Sequence, residues 1–275
     1  MSSSNPQRAF SLFTIALIAT GIIFVVYGVA YFAPSNSTVW KDYVTNLLIV
    51  LAAIWSAIIA TLLWKAYQAD PPLRRVWFNF SLALWLWSLA EILWTYQVLS
   101  LQEINIGIAD AFWVLAYFLF EIALYAQYKL ILTPPKWQGR VVFATLTSLT
   151  IGLTLLFAWF LSRQQGEALT LPALINAFYP IGDLAIGVGA LYIGYLFRGG
   201  LLNRPWLAMF LFALSDGLYA WLFNIGQYSA LVEQSTLAQY ITDSLYLVAY
   251  LAVGLGCFMQ WLTLRYGFFL HAPKS

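Results

Sequence analysis

The sequence predicts an all-α polytopic membrane protein with eight transmembrane helices arranged as two parallel-oriented four-helix repeats. Three observations predict this: an apolar composition, a one-sided distribution of basic residues, and a pattern of acids and aromatics that occurs twice. Of 275 residues, 62% are hydrophobic and 9% are charged, whereas a soluble domain carries roughly 25% charged residues. A membrane span needs about 20 mostly apolar residues. Runs of that kind lie near 10–33, 42–66, 75–99, 109–132, 140–163, 170–198, 204–227 and 237–267. Pro34, Pro71-Pro72, Pro134-Pro135 and Gly199-Gly200 punctuate them. Arg8 precedes the first run in the manner of a secretory signal. That run exceeds the roughly 7–15 apolar residues of a signal peptide, so it is expected to be a retained helix.

Charge placement sets the expected orientation. With eight spans, the termini and the 2–3, 4–5 and 6–7 connections share one side. That side holds Arg8, Lys65, Arg74, Arg75, Lys129, Lys136, Arg140, Arg198, Arg204, Arg265 and Lys274, and the other holds only Lys41 and Arg163. The positive-inside rule then predicts that both termini are cytoplasmic, in the cell (plasma or inner) membrane. The same alternation supports the count of eight.

The two halves, about 10–132 and 140–267, share a pattern within a single membrane domain. The third helix reads Ser88-Leu89-Ala90-Glu91 and the seventh Ala213-Leu214-Ser215-Asp216. The fourth and eighth each place an aromatic three residues after an aspartate and a tyrosine seven after it. These are Asp110, Trp113 and Tyr117 in one, and Asp243, Tyr246 and Tyr250 in the other. Four helices per half is an even number, so both halves face the same way. A pseudo-two-fold axis along the membrane normal is expected. The first and fifth helices do not align convincingly.

Six acids fall within the spans: Glu91, Asp110, Glu121, Asp183, Asp216 and Asp243. No Lys or Arg lies at comparable depth to neutralise them. A carboxyl group there must be neutral, hydrogen-bonded, water-exposed or bound to a cation. Helical spacing places Trp87, Glu91 and Trp94 on one face, and Phe212, Asp216 and Tyr219 on another. Asp110, Trp113, Tyr117 and Glu121 form a stripe; Asp243, Tyr246 and Tyr250 form its counterpart, with Gly254 in place of the second acid. These faces are expected to turn inward as an acid- and aromatic-lined cavity open to the non-cytoplasmic side. Glu91, Asp110, Asp216 and Asp243 lie in its outer half. Glu121 and Asp183 lie near the midplane, with Asp183 following Tyr179-Pro180 at an expected kink. The expected ligand-binding set is therefore Trp87, Glu91, Trp94, Asp110, Trp113, Tyr117, Glu121, Tyr179, Asp183, Asp216, Asp243 and Tyr250. A plainer account remains for some of these: Asp110 and Asp243 as helix N-terminal caps, Glu91 and Asp216 as interhelical glue. Trp40, Trp64 and Trp137, at helix ends, read as an interfacial belt.

Several classes are excluded. The single cysteine, Cys257, forms no internal disulfide or thiolate cluster. The single histidine, His271, lies in the tail, so no metal site or cofactor is expected. A retinal-type photoreceptor needs a lysine deep in a helix, and Lys65 and Lys129 sit at helix ends. No basic stripe suits nucleic acid.

The stretches Tyr179-Pro180-Ile181-Gly182-Asp183-Leu184, Leu211 to Asp216, Asp243 to Tyr250 and Ala109 to Tyr117 resemble the eight-helix membrane modules found N-terminal to bacterial diguanylate cyclases and cyclic-di-GMP phosphodiesterases. The resemblance covers roughly 75–260. It implies a sensor module. Because the sequence ends at Ser275, soon after the eighth helix, output is expected to run through a partner effector protein. Phe210 to Asp216 and Trp87 to Leu93 are more weakly similar to the acid-bearing helices of the lysoplasmalogenase-like family, with Glu91 where that family has Asp and Ala90 where it has Gly. This implies a lipid-hydrolysing enzyme. The expected function is a membrane sensor or small-ligand-binding module, whose cavity takes a small molecule, lipid or cation. The alternatives are an intramembrane carboxylate-dependent lipid hydrolase and a proton- or cation-coupled transporter.

Overall fold

The computed structural model describes residues 6–32, 38–67, 69–100, 106–132, 136–165, 168–197, 203–224 and 236–267. The breaks at Pro34, Pro134-Pro135 and Gly199-Gly200 lie outside the described residues, as do Arg198, His271, Lys274 and the side chains of Lys136 and Arg140.

Among the described residues there are eight helices: α1 (Pro6–Phe32), α2 (Thr38–Ala66), α3 (Pro71–Leu99), α4 (Ile108–Leu132), α5 (Lys136–Gln165), α6 (Leu171–Leu196), α7 (Asn203–Asn224) and α8 (Thr236–Tyr266). Seven are long and apolar enough to cross a membrane; the apolar stretch described within α5, Ser148–Arg163, is shorter. The chain is thus a helical membrane protein. In lipid no water satisfies the backbone, so an unbroken helix, which pairs its own amides, is the favoured way across.

Helices α1, α2, α3 and α5 each begin four residues ahead of the expected apolar run, and for α3 the local reason is plain. Pro71-Pro72 begins α3 rather than preceding it. Proline fits the first turn, where its missing N–H has no intrahelical role, and Asp70 caps the same turn by accepting from Leu73 N at 3.2 Å. Thr170 caps α6 in the same way from Ala173 N at 3.3 Å, ahead of Pro172. Further along, α6 runs through Pro180 without ending.

Helix α2 packs against α3 and α8, α4 against α3 and α6, and α7 against α6 and α8. Helix α1 leans on α2 and α8, and α5 on α6. The centre of the bundle is aromatic. Trp77 and Phe80 of α3 meet Trp206 of α7 at ring separations of 5.7 and 5.5 Å, and Phe80 meets Phe120 of α4 at 5.5 Å. Outward faces carry apolar side chains such as Ile18, Val25, Leu156 and Leu184 in the open, which suits lipid. Exposed Trp40 and Trp137 stand near the starts of α2 and α5, and Trp64 near the end of α2 packs on Phe78 with Arg74 over its ring.

The α2–α8 crossing depends on Gly254. A Cβ there would lie 2.1 Å from the Trp55 ring, so the indole rests on the α8 backbone itself. This is the position where the first half has Glu121. Gly254→Ala is expected to lower unfolding free energy by about 1–3 kcal/mol, the usual cost of overpacking, while Gly21→Ala, with nothing near its Cβ, has no such effect. Thermal unfolding in detergent checks the contrast.

Candidate ligand cavity

One end of the bundle encloses a cavity of about 660 Å³. Among the described residues every helix except α5 lines it: Tyr27 and Tyr31 from α1; Lys41, Asp42, Thr45, Asn46 and Ile49 from α2; Trp87, Glu91, Trp94 and Val98 from α3; Asp110 and Trp113 from α4; Pro172, Asn176 and Tyr179 from α6; Asp216, Tyr219 and Ala220 from α7; Gln239, Asp243 and Tyr246 from α8. The contributing ends alternate along the chain, late in α1, α3 and α7 and early in α2, α4, α6 and α8. Exposed Pro172 marks the rim. Trp87 belongs both to the cavity wall and to the packed centre, where it meets Phe212 edge-on at 4.9 Å and Tyr117 at 5.1 Å.

Tyrosine hydroxyls hold the carboxyl groups. Tyr250 of α8 donates to Glu91 Oε1 of α3 at 2.6 Å. Tyr179 of α6 donates to Asp110 Oδ1 of α4 at 2.5 Å. Tyr31 of α1 donates to Asp243 Oδ2 of α8 at 2.9 Å. Tyr246 donates to Asp216 Oδ1. A carboxyl group stripped of water needs such donors, and each of these four receives at least one.

The structure therefore combines the two accounts of Asp110. Its Oδ2 accepts from Gly107 N at 2.8 Å, reaching back to the start of α4 as a capping residue does. Its Oδ1 is the tyrosine acceptor at the cavity. Glu91 and Asp216 likewise join helices and face the cavity at once.

Tyr117 lies behind the wall, fully buried between two acids. Its hydroxyl is 2.6 Å from Asp183 Oδ1 and 2.9 Å from Asp216 Oδ2. A phenol has one proton to donate. If both contacts are hydrogen bonds, the second proton comes from a carboxyl group, so the Asp183–Asp216 pair carries at least one. Two glycines make room. A Cβ on Gly182 would meet the Tyr117 ring at 2.9 Å, and one on Gly217 would meet Asp183 Cβ at 3.1 Å.

Of the expected site residues, Trp87, Glu91, Trp94, Asp110, Trp113, Tyr179, Asp216 and Asp243 line the cavity. Tyr117, Asp183 and Tyr250 are not among its lining residues; Tyr117 and Tyr250 stand one hydrogen bond behind it, and Asp183 stands behind Tyr117. Glu121 is half-buried and makes no hydrogen bond or ion pair among the described residues. It lies one turn beyond Tyr117, where the cavity has already given way to packed aromatics. Tyr31 and Lys41 belong to the site although the sequence reading did not single them out for it. Lys41 donates to Gln239 Oε1 at 3.3 Å and stands over the Tyr31 ring at 3.9 Å. Its isolation on the sparsely basic side was the available signal. Tyr31 had none, since α1 matched nothing in the second half.

Comparison with protein-family models, curated proteins and solved structures finds no match.

Removing the Tyr117 hydroxyl leaves two buried carboxyl groups without their shared partner. Tyr117→Phe is expected to cost about 1–3 kcal/mol of stability. Tyr96→Phe, on an exposed ring, changes stability little. Equal melting temperatures for the two variants would contradict the bridging role.

Proposed function

We propose that this chain is a membrane sensor module that binds a small ligand in the cavity from the non-cytoplasmic side and signals to a partner effector protein. The observation that carries this reading is the cavity itself. At about 660 Å³ it falls in the roughly 300–1,000 Å³ range of small-molecule sites, and its wall mixes aromatic rings with a few convergent polar groups. The wall draws on helices from both halves of the chain, so an occupant that prefers one packing of the halves shifts the balance between packings. The resemblance to the membrane modules of cyclic-di-GMP enzymes points the same way. The outward orientation rests on basic residue placement: exposed Lys65, Arg74, Arg75 and Arg265 lie at helix ends away from the cavity.

In this reading the chain spans the membrane eight times as two four-helix repeats. The hydrogen bonds support that arrangement. The acid of α3, Glu91, accepts from the tyrosine seven residues after the acid of α8. The acid of α7, Asp216, accepts from the tyrosine seven residues after the acid of α4. The helix contacts exchange in the same sense: α2 packs on α8 as α6 packs on α4.

A second reading, proton-coupled transport, is favoured by one observation, the hydrogen-bonded chain Asp216–Tyr117–Asp183. It would need the aromatic centre to open in another state.

Native mass spectrometry of protein purified from its membrane tests the main reading. The expected result is a bound small molecule that is lost in Ala220→Phe, a change that fills part of the cavity without touching an acid. A spectrum without any adduct, or an adduct retained in that variant, contradicts it.

A further inference from the structure

We propose that the cavity selects a small organic cation bearing an alkyl- or quaternary ammonium group; this rests on the small-ligand reading above. Charge is the first argument. Even without Asp216, whose pair with Asp183 holds a proton, four acids line the cavity, Asp42, Glu91, Asp110 and Asp243, against one ammonium among the described residues, Lys41. Lys41 bonds to Gln239 and stands over the Tyr31 ring, and one ammonium balances only one of these acids. An anion would meet this wall at a large cost, and a neutral solute would gain little from it.

Aromatic geometry is the second argument. Trp94, Trp113 and Tyr179 stand as successive angled panels. Trp94 and Trp113 are 5.8 Å apart at 59°, and Trp113 and Tyr179 are 6.2 Å apart at 88°. All three line the cavity, and Tyr179 is the ring that holds Asp110. Aromatic rings beside carboxyl groups suit a weakly hydrated cation, and such a combination is how alkylammonium groups are recognised. An inorganic ion fits less well. Among the described residues no three acidic, histidine or cysteine side chains come together to hold a metal. The carboxyl groups are spread around the wall and held back by tyrosines.

The same chemistry occurs on a free solute and on a lipid headgroup, and the test separates them. Purified protein in detergent is titrated with choline and with 3,3-dimethylbutanol, its uncharged carbon analogue, while tryptophan fluorescence is followed. In parallel, its thermal stability is compared in vesicles of choline-headgroup and glycerol-headgroup lipids. Preference for choline over the neutral analogue by about tenfold or more is expected from cation–π and carboxylate contacts. Trp113→Leu is expected to lose that preference. Free choline binding identifies a soluble ligand; stabilisation confined to choline-headgroup vesicles identifies the lipid. The charge comparison uses the unaltered protein, so it stands even if a variant fails to fold. Equal binding of the neutral analogue overturns the cation assignment while leaving the small-ligand reading intact. Failure of choline in both arms overturns it as well. An absent adduct in the mass spectrum instead removes the small-ligand reading on which it rests.

Discussion

The bond between a tyrosine hydroxyl and a carboxyl group is the interaction on which the centre of this protein depends. Acids inside a membrane bundle are costly unless something answers them. Lysine or arginine would do so by charge, at the risk of closing the space with an ion pair. Tyrosine does so with a single donor on a rigid apolar ring. Glu91, Asp110, Asp216 and Asp243 are all answered in this way, so the acids are kept at the wall and a space remains between them.

These bonds also tie the helices together. Each joins residues distant in sequence or in neighbouring helices: α8 to α3, α6 to α4, α1 to α8 and α4 to both α6 and α7. The packing below them is of a different kind. Phe80 meets Trp77, Phe120 and Trp206 edge to face, and small residues such as Gly254 and Gly182 let rings approach a neighbouring backbone. One end of the bundle is thus polar and open, and the middle is apolar and filled. Tyr117 stands at the boundary, with its ring in the packing and its hydroxyl between two acids.

Much of the fold was legible because membrane spans advertise themselves by length and apolarity. The helices follow the apolar runs, although α1, α2, α3 and α5 start a turn earlier, α3 because proline suits a first turn. Clustering of Glu91, Asp110, Asp216 and Asp243 with Trp87, Trp94, Trp113 and Tyr179 was legible from helical spacing, since an acid and an aromatic three or four residues apart share a face. Depth along the helix did not by itself place Glu121 and Asp183 relative to the cavity wall, which neither of them lines. Counting residues along a helix says how far down an acid lies, but not whether space or packing surrounds it. Tyr31 and Lys41 were not legible as site residues, because they reach the cavity only through the way α1 and α2 lean on α8. No periodicity within either helix records that contact.

The central claim is that these acids surround an accessible space facing the non-cytoplasmic side. Labelling of introduced cysteines tests it most directly. The native Cys257 is fully buried and gives little background. With a membrane-impermeant thiol reagent, single cysteines at Trp94 and Val98, both on the cavity wall, should react from the non-cytoplasmic side. Trp94→Cys should be protected when the cavity is occupied. Reaction only from the cytoplasmic side, or at neither position, would contradict the account.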